Sequence, residues 1–409
     1  MLKKILVIAQ ATQLPGEKGN NRSRFKKICE MLVNEGYEVT EITSKFRELD
    51  RTFRIENELY KSAPYKIVIL DEVGYYKNIS FRRIYSMWSF SQSLKYFLKN
   101  TNEDYDLVYA CVPGLDSALE AGKYANKKNI PFVIDVQDVW PEAMFDLVLD
   151  TPIISNILFS PLQLMANKVY AMADGIMAVS QTYLKIAEKK NSKSVINDYV
   201  FIGTDIENYD IGVIEQIDVV DKPEDEFWIA YIGSLGHSYD IYTFIEGAKI
   251  ANENGLNVRP IILGSGPLEK DFKEFAEKIE SNALFTGWVD YSTMGIYLKK
   301  SDAVINAIKR KAPQSITNKI GDYLSSGRVM LNGSLNSEFL ELVKTREFGF
   351  NYEPENPQNL SKAIEKVYRL SEQEREQMGK NARKLAEEEF DRKITYPKII
   401  KMINQLIDS

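Results

Sequence analysis

The 409-residue chain holds a single histidine, His237, and only two cysteines, Cys29 and Cys111. Two cysteines exclude a disulfide framework and a zinc–cysteine cluster, and they fit a reducing compartment. Basic charge is not in excess. Fifty-two Lys and Arg against 58 Asp and Glu give a formal charge of −6, which argues against a dedicated nucleic-acid binder. No apolar run approaches the length of a membrane span. The opening MLKKILVIA resembles a leader only superficially, because its apolar run is short and residues 10–21 are polar with no small-residue cleavage pattern. It is expected to be a first buried strand. The dinucleotide pattern G-x-G-x-x-G is absent after that strand, where a dehydrogenase would carry it. Internal repeats and low-complexity tracts are absent too.

What is present is alternation. Apolar, strand-like runs at 5–9, 38–43, 66–70, 107–110, 132–135, 175–179 and 195–202 are separated mostly by helical patterns. The first helix shows Phe25, Ile28, Cys29, Leu32 and Val33 at helical spacing and stops at Gly36. A second series follows at 228–232, 258–263, 283–286, 303–307 and 329–331. Near-continuous apolar strands joined by helices mean parallel sheets covered on both faces. A chain of this length suggests two domains. The expected division is an N-terminal Rossmann-like domain over 1–205, a linker over 206–226 with the acid-rich run 218–226, a C-terminal Rossmann-like domain over 227–385, and a helix over 386–409 crossing back to the first domain. Doubly wound domains place ligands at the carboxyl ends of their strands.

The chemistry clusters there. Gly233, Ser234, Leu235, Gly236 and His237 follow one strand and precede a helix that Asp240 would cap. Gly264-Ser265-Gly266-Pro267 closes the next strand and Phe285-Thr286-Gly287 a third. Glycine lets backbone approach a ligand, and a helix N-terminus favours an anion. Each turn alone is an ordinary βα turn; the series can seat a nucleotide diphosphate. The segment Asn318-Lys319-Ile320-Gly321-Asp322-Tyr323-Leu324 reads as a short helix, capped by Ser315 or Thr317 and ended by Gly327. Lys319 and Asp322 are three apart and are expected to share a face, Lys319 for phosphate and Asp322 for ribose hydroxyls. The bland alternative is a surface ion pair.

This order of motifs resembles the family-4 retaining glycosyltransferases of the GT-B fold, most of all the branch that builds bacterial capsule, O-antigen and exopolysaccharide units. Asp138-Val139-Trp140-Pro141-Glu142 looks like that branch's Asp-x-Trp-Pro-Glu segment, residues 174–180 like its Ala-Asp-x-Ile-x-x-x-Ser strand, and Gly203-Thr204-Asp205 like its Gly-x-Asp turn. The resemblance implies an α/β fold of GT-B type: two doubly wound Rossmann-like domains facing across a cleft, with C-terminal helices. It implies a retaining transferase, hexosyl or N-acetylhexosaminyl, moving sugar from a nucleotide-diphosphate sugar, UDP-sugar favoured, to a saccharide or lipid-linked acceptor in cell-surface polysaccharide synthesis. No metal or other cofactor is expected. Asp138 and Lys319 are the expected catalytic residues. Donor-side candidates are Gly233, Ser234, Leu235, His237, Gly264, Gly266, Arg310, Gln314, Thr317, Asn318 and Asp322; acceptor-side candidates are Gly19, Asn20 and Arg22.

The chain departs from the family in two places. The family's acidic pair, eight positions apart, becomes Gln314 and Asp322 here, and the Arg and Lys that follow the first Gly turn are replaced by His237-Ser238-Tyr239-Asp240. Lys319 and Lys309-Arg310-Lys311 are the replacements to test. These gaps motivate an alternative, a non-catalytic GT-B subunit that stabilises or targets a partner transferase. A sugar-nucleotide epimerase of the same fold is disfavoured by the single histidine. Residues 75–100 carry Lys77, Arg82, Arg83, Lys95 and Lys99, no acidic residue, and interleaved aromatics. That stretch suits anionic lipid headgroups if it is not a core helix. The expected location is cytoplasmic, with peripheral contact to the inner face of the membrane, and no nucleic-acid partner.

Overall fold

A computed structural model describes residues 2–17, 23–55, 57–77, 80–141, 152–193, 196–215, 220–312 and 316–409. The side chains of residues 152–159 and 215 lie outside that description. The chain divides into two compact units, Met1–Val200 together with Tyr396–Ser409, and Phe201–Thr395.

Unit 1 is built on β1 (Lys4–Ile8), β2 (Glu38–Ser44), β5 (Lys66–Leu70), β6 (Leu107–Val112), β7 (Phe132–Val136), β8 (Gly175–Ala178) and β9 (Ile196–Tyr199). A small hairpin, β3 (Phe46–Arg47) with β4 (Thr52–Phe53), stands apart from the sheet. The large sheet runs β5-β2-β1-β6-β7-β8-β9, with every pairing parallel. Helix Arg24–Asn34 follows β1 because Ser23 caps it, accepting from the Lys26 amide, and because its Phe25, Ile28, Cys29 and Leu32 stripe is buried. Helix Pro397–Ile407 completes this core with Ile399, Ile400 and Ile403, and Tyr37 donates to Asn404 Oδ1 at 2.7 Å.

Unit 2 holds β10 (Phe227–Ile232), β11 (Val258–Leu263), β12 (Leu284–Gly287), β13 (Ala303–Asn306), β14 (Val329–Asn332) and β15 (Gly349–Asn351). The order is β12-β11-β10-β13-β14-β15, again all parallel. The central strand β10, sequence FWIAYI, is buried at every position, as a strand covered by helices on both faces must be. The strand order reverses between β10 and β13, so their carboxyl ends form the switch point at which such sheets open a crevice.

The structure differs from the sequence reading in four places. The hairpin and β15 are too short to show a period. Segment 206–226, expected as a linker, contains helix Ile206–Glu215, whose Tyr209 and Val213 are buried within unit 2. Asp240 stands at the N-cap of helix Ile241–Glu253 without a side-chain capping bond. Its carboxylate accepts instead from the Glu355 amide at 2.7 Å, which ties the loop after β15 to this helix.

Candidate functional site

The two glycine turns of unit 2 are locked to each other. The Gly233 amide donates to Leu263 O at 2.9 Å, the Leu235 amide to Ser265 O at 3.0 Å, and the Leu268 amide to Leu235 O at 3.0 Å. Gly264 has φ +137°, and a Cβ there would run into the Gly233 carbonyl. A Cβ on Gly266 would stand 2.5 Å from Leu235 O. Close backbone packing thus accounts for both glycines. The Leu235 side chain belongs to the core, while Ser234 and His237 are exposed. The loop after β13 closes the other side. Lys309 donates its amide to Ser238 O at 3.1 Å, and Tyr239 bridges Ile308. Arg310 pairs on the surface with Glu353 at 2.8 Å.

Against these loops lies helix Lys319–Ser325, with Asn318 as N-cap in helical conformation and no side-chain capping bond. Thr317, expected as a cap, is therefore one residue too early; its Oγ1 is buried with no partner among the described residues. Ser315 and Gln314 lie outside the described residues, as do Gly19, Asn20 and Arg22. Gly327, at φ +64°, ends the helix as expected.

Lys319 is 8% exposed. Its Nζ donates to Tyr231 Oη at 3.0 Å and sits 4.2 Å and 3.8 Å from the ring centres of Tyr231 and Tyr239. Tyr231 in turn donates its own proton to Ser234 O at 2.8 Å, so its lone pair is free to receive the amine. A Cβ on Gly233 would stand 2.9 Å from that Nζ. No carboxylate among the described residues lies within ion-pair distance of Lys319, and burial pushes its pKa well below the ordinary lysine value.

Asp322 turns elsewhere. Its Oδ1 accepts from Thr204 Oγ1 at 2.9 Å and from Tyr291 Oη at 2.7 Å. Both bonds fall on one oxygen, and no other donor among the described residues reaches Oδ2. The surface ion pair weighed from the sequence is absent: both side chains are buried, and each has a different partner. Tyr323, on the same helix, holds the end of β10 by accepting from the Ile232 amide at 2.9 Å and donating to Ile232 O at 3.3 Å. Sequence reasoning missed Tyr231, Tyr239, Tyr291 and Thr204. A tyrosine at the penultimate position of a strand ending in glycine was the one available signal.

In unit 1, Asp138 follows β7. It accepts from Trp140 Nε1 at 3.0 Å and from the Val139 amide at 2.9 Å, with Tyr183 Oη at 3.5 Å. Burial pushes its carboxyl up, and the Trp140 and Val139 hydrogen bonds pull it back. Arg83 stacks on the Trp140 ring at 4.6 Å. Asp135 is fully buried in a two-pronged bond with Arg24, at 2.8 and 3.3 Å, and takes a third bond from Tyr109 at 2.7 Å. It is a structural charge pair. Among the described residues, no group of three or more His, Cys, Asp or Glu could hold a metal ion, and no helix is long and apolar enough to cross a membrane.

Residues 213–385 match the family described as glycosyl transferases group 1. No curated protein sequence matches the chain. Among solved structures, sucrose-phosphate synthase from Thermosynechococcus elongatus superimposes with TM-score 0.73 at 13% identity, covering 99% of each chain. HepE from Anabaena in complex with UDP gives 0.67 at 15%, covering 99% of this chain and 100% of that one. The HepE complex with UDP-glucose gives 0.63 at 16%, covering 98% and 99%. The fold is GT-B, with two parallel, Rossmann-like sheets. The family match over residues 213–385 supports a glycosyltransferase.

Proposed function

We propose that the chain is a retaining glycosyltransferase that moves a sugar from a nucleotide-diphosphate sugar to a saccharide or lipid-linked saccharide acceptor in cell-surface polysaccharide synthesis. The observation that carries the donor site is Lys319, a buried amine at the switch point of unit 2 with no acidic partner among the described residues. A lysine so placed gains from an incoming anion the charge partner that the fold withholds. UDP-sugar is the favoured donor, because the HepE complexes of the same fold hold UDP and UDP-glucose.

In this reading the Lys319 ammonium and the surrounding amides hold the diphosphate, and Asp322 accepts from ribose hydroxyls through its open Oδ2. The acceptor hydroxyl oxygen bonds to the anomeric carbon on the face that the leaving group departs. The bond from that carbon to the diphosphate oxygen breaks, and the hydroxyl proton passes to the departing phosphate. The protein's contribution is positioning and stabilisation of the charge that builds on the diphosphate. Unit 1 supplies the acceptor side, with Asp138 held ready by Trp140. No metal or other cofactor enters this reaction.

A second reading, a non-catalytic subunit that stabilises or targets a partner transferase, draws support from Asp322, whose Oδ1 is already satisfied by Thr204 and Tyr291. Calorimetry with UDP, GDP, ADP and dTDP separates the two. Selective micromolar binding that weakens about tenfold in Asp322→Ala supports the enzyme, whereas no binding to any of them supports the subunit.

A further inference from the structure

Unit 1 leaves an unusual amount of apolar side chain in water. Among the described residues eighteen large hydrophobic side chains are exposed, and eleven of them lie between Leu49 and Tyr96. A monomer rarely shows such a concentration unless something covers it. The main contributor is helix Phe81–Asn100. Phe81 (89% exposed), Ile84, Tyr85, Trp88 and Tyr96 recur at helical spacing on one side, while Ser86, Phe90, Leu94 and Leu98 fill the core on the other. A surface helix normally reserves its outer face for polar groups. The β3–β4 hairpin adjoins it. Gly74 sits where a Cβ would stand 2.9 Å from the half-exposed Phe53, and the Gly74 carbonyl accepts from Arg82 Nε at 3.1 Å.

The helix itself carries charge of one sign, although Glu48 reaches it from the β3–β4 hairpin and pairs with Arg83 at 3.1 Å. Residues 75–100 contain no Asp or Glu in a chain of net charge −6. Lys77, Arg82, Lys95 and Lys99 are exposed. Of these four, only Lys95 has an ion-pair partner among the described residues, Glu120 at 4.0 Å. Tyrosine and tryptophan are amphipathic rings suited to the level of lipid headgroups, and lysines beside them suit phosphates.

We propose that this face docks on an anionic lipid bilayer, with the Phe81–Trp88 stripe at the headgroup boundary and Lys77, Lys95 and Lys99 against the lipid phosphates. The same helix reaches the candidate acceptor side: Arg83 stacks on Trp140, whose indole N–H holds Asp138. Where unit 1 takes a lipid-linked acceptor, which rests on the function proposed above, docking brings that acceptor to Asp138 from the membrane. The docking itself does not depend on turnover and is tested without donor.

The full-length chain is spun down with vesicles of phosphatidylcholine alone or mixed with phosphatidylglycerol. Binding is expected to the mixed vesicles, to weaken with salt, and to shift Trp88 emission to the blue. Each surface cation is worth about fivefold in partitioning at low salt, so Lys95→Ala with Lys99→Ala should lower binding about 25-fold. Phe81→Ser with Trp88→Ser should lower it as well. All four side chains are exposed, so an unchanged Tm certifies the fold of each variant. The proposal is overturned if mixed vesicles do not bind the protein, or if neither pair of substitutions changes binding. It is also overturned if gel filtration without lipid shows a dimer that Phe81→Ser with Trp88→Ser dissolves, which would make the face an interface between two copies.

Discussion

Replacing Lys319 by methionine sets two effects against each other. Burying an ammonium costs several kcal/mol. The two tyrosine rings at 4.2 and 3.8 Å return about 0.5–2 kcal/mol each, and the bond to Tyr231 adds about 1 kcal/mol. The burial cost is the largest of these, which agrees with a lysine whose pKa burial pushes down. Methionine fills similar space without the charge, so Lys319→Met should leave the empty protein unchanged or up to about 2 kcal/mol more stable, a Tm rise of a few degrees for unit 2. Affinity should move the other way. A charged hydrogen bond to phosphate is worth about 1.5–3 kcal/mol, so UDP binding should weaken about ten- to hundredfold.

Proton linkage gives a second signature. The amine of the empty site gives up its proton more readily than an exposed lysine, and a bound diphosphate favours the charged form. Binding therefore takes up a proton, and affinity falls as pH rises from the depressed pKa of the empty site toward that of the complex. Stability of the empty protein has the opposite trend. Over the window between the depressed folded pKa and the unfolded value near ~10.4 the unfolded chain binds more protons, so stability rises with pH. Calorimetry in two buffers of different ionisation enthalpy reads the uptake directly. The reasoning fails if Lys319→Met binds UDP within about twofold of the parent. It fails equally if Tm drops along with affinity, because the amine would then be holding the glycine turn together.

Three further outcomes follow from the structure. Gly264→Ala places a Cβ against the Gly233 carbonyl at φ +137°, and because both parties are backbone the cost should exceed about 3 kcal/mol, read as a lowered denaturant midpoint. Glu41 is buried, its Oε1 has no partner among the described residues, and burial raises its pKa to about 7. Its contribution to stability is thus complete below pH ~4.3 and lost as pH rises toward 7. Glu41→Gln should remove that slope and gain up to about 3 kcal/mol at pH 8, measured by urea unfolding across pH. Thr204→Val deletes one of two donors to Asp322 Oδ1 and should cost about 1–2 kcal/mol in stability, with Thr204→Ser restoring most of it.

The strands of both sheets were readable because buried parallel strands leave continuous apolar runs, and the βα alternation implied the parallel order. The glycine turns were readable as turns, but the reason for Gly264 and Gly266 was not. They are required by contact with backbone some thirty residues earlier, which no local spacing records. The helix after Asn318 was readable too, yet its two polar residues do not act as a pair. A spacing of three fixes where two Cβ atoms sit and leaves the side chains to their surroundings. Lys319 was drawn to tyrosines from β10 and the loop after it, and Asp322 to a threonine more than a hundred residues away. The outward face of helix Phe81–Asn100 was visible as composition only, because a helix apolar on both sides has no period that says which side is buried.

The divergence of Lys319 and Asp322 makes a sharper test than either residue alone. Two donors fix the Asp322 carboxylate through Oδ1, leaving Oδ2 as an oriented acceptor; the Lys319 amine is fixed by one acceptor and two rings, leaving N–H donors unspent. One site therefore offers an acceptor suited to hydroxyls and the other a cation suited to phosphates, and no contact joins them. A nucleoside diphosphate should report them separately. Across the series uridine, UMP and UDP, the parent should gain affinity with each phosphate. Lys319→Met should flatten that gain while leaving uridine unaffected, and Asp322→Ala should weaken all three by the same factor, about tenfold for lost bonds to a charged acceptor. Independent contacts add, so the double variant should lose the product of the two factors on UDP. If Asp322→Ala instead flattens the phosphate series, or if the double variant loses no more than the worse single one, the two residues serve a common contact and the assignment of ribose to one and diphosphate to the other is wrong.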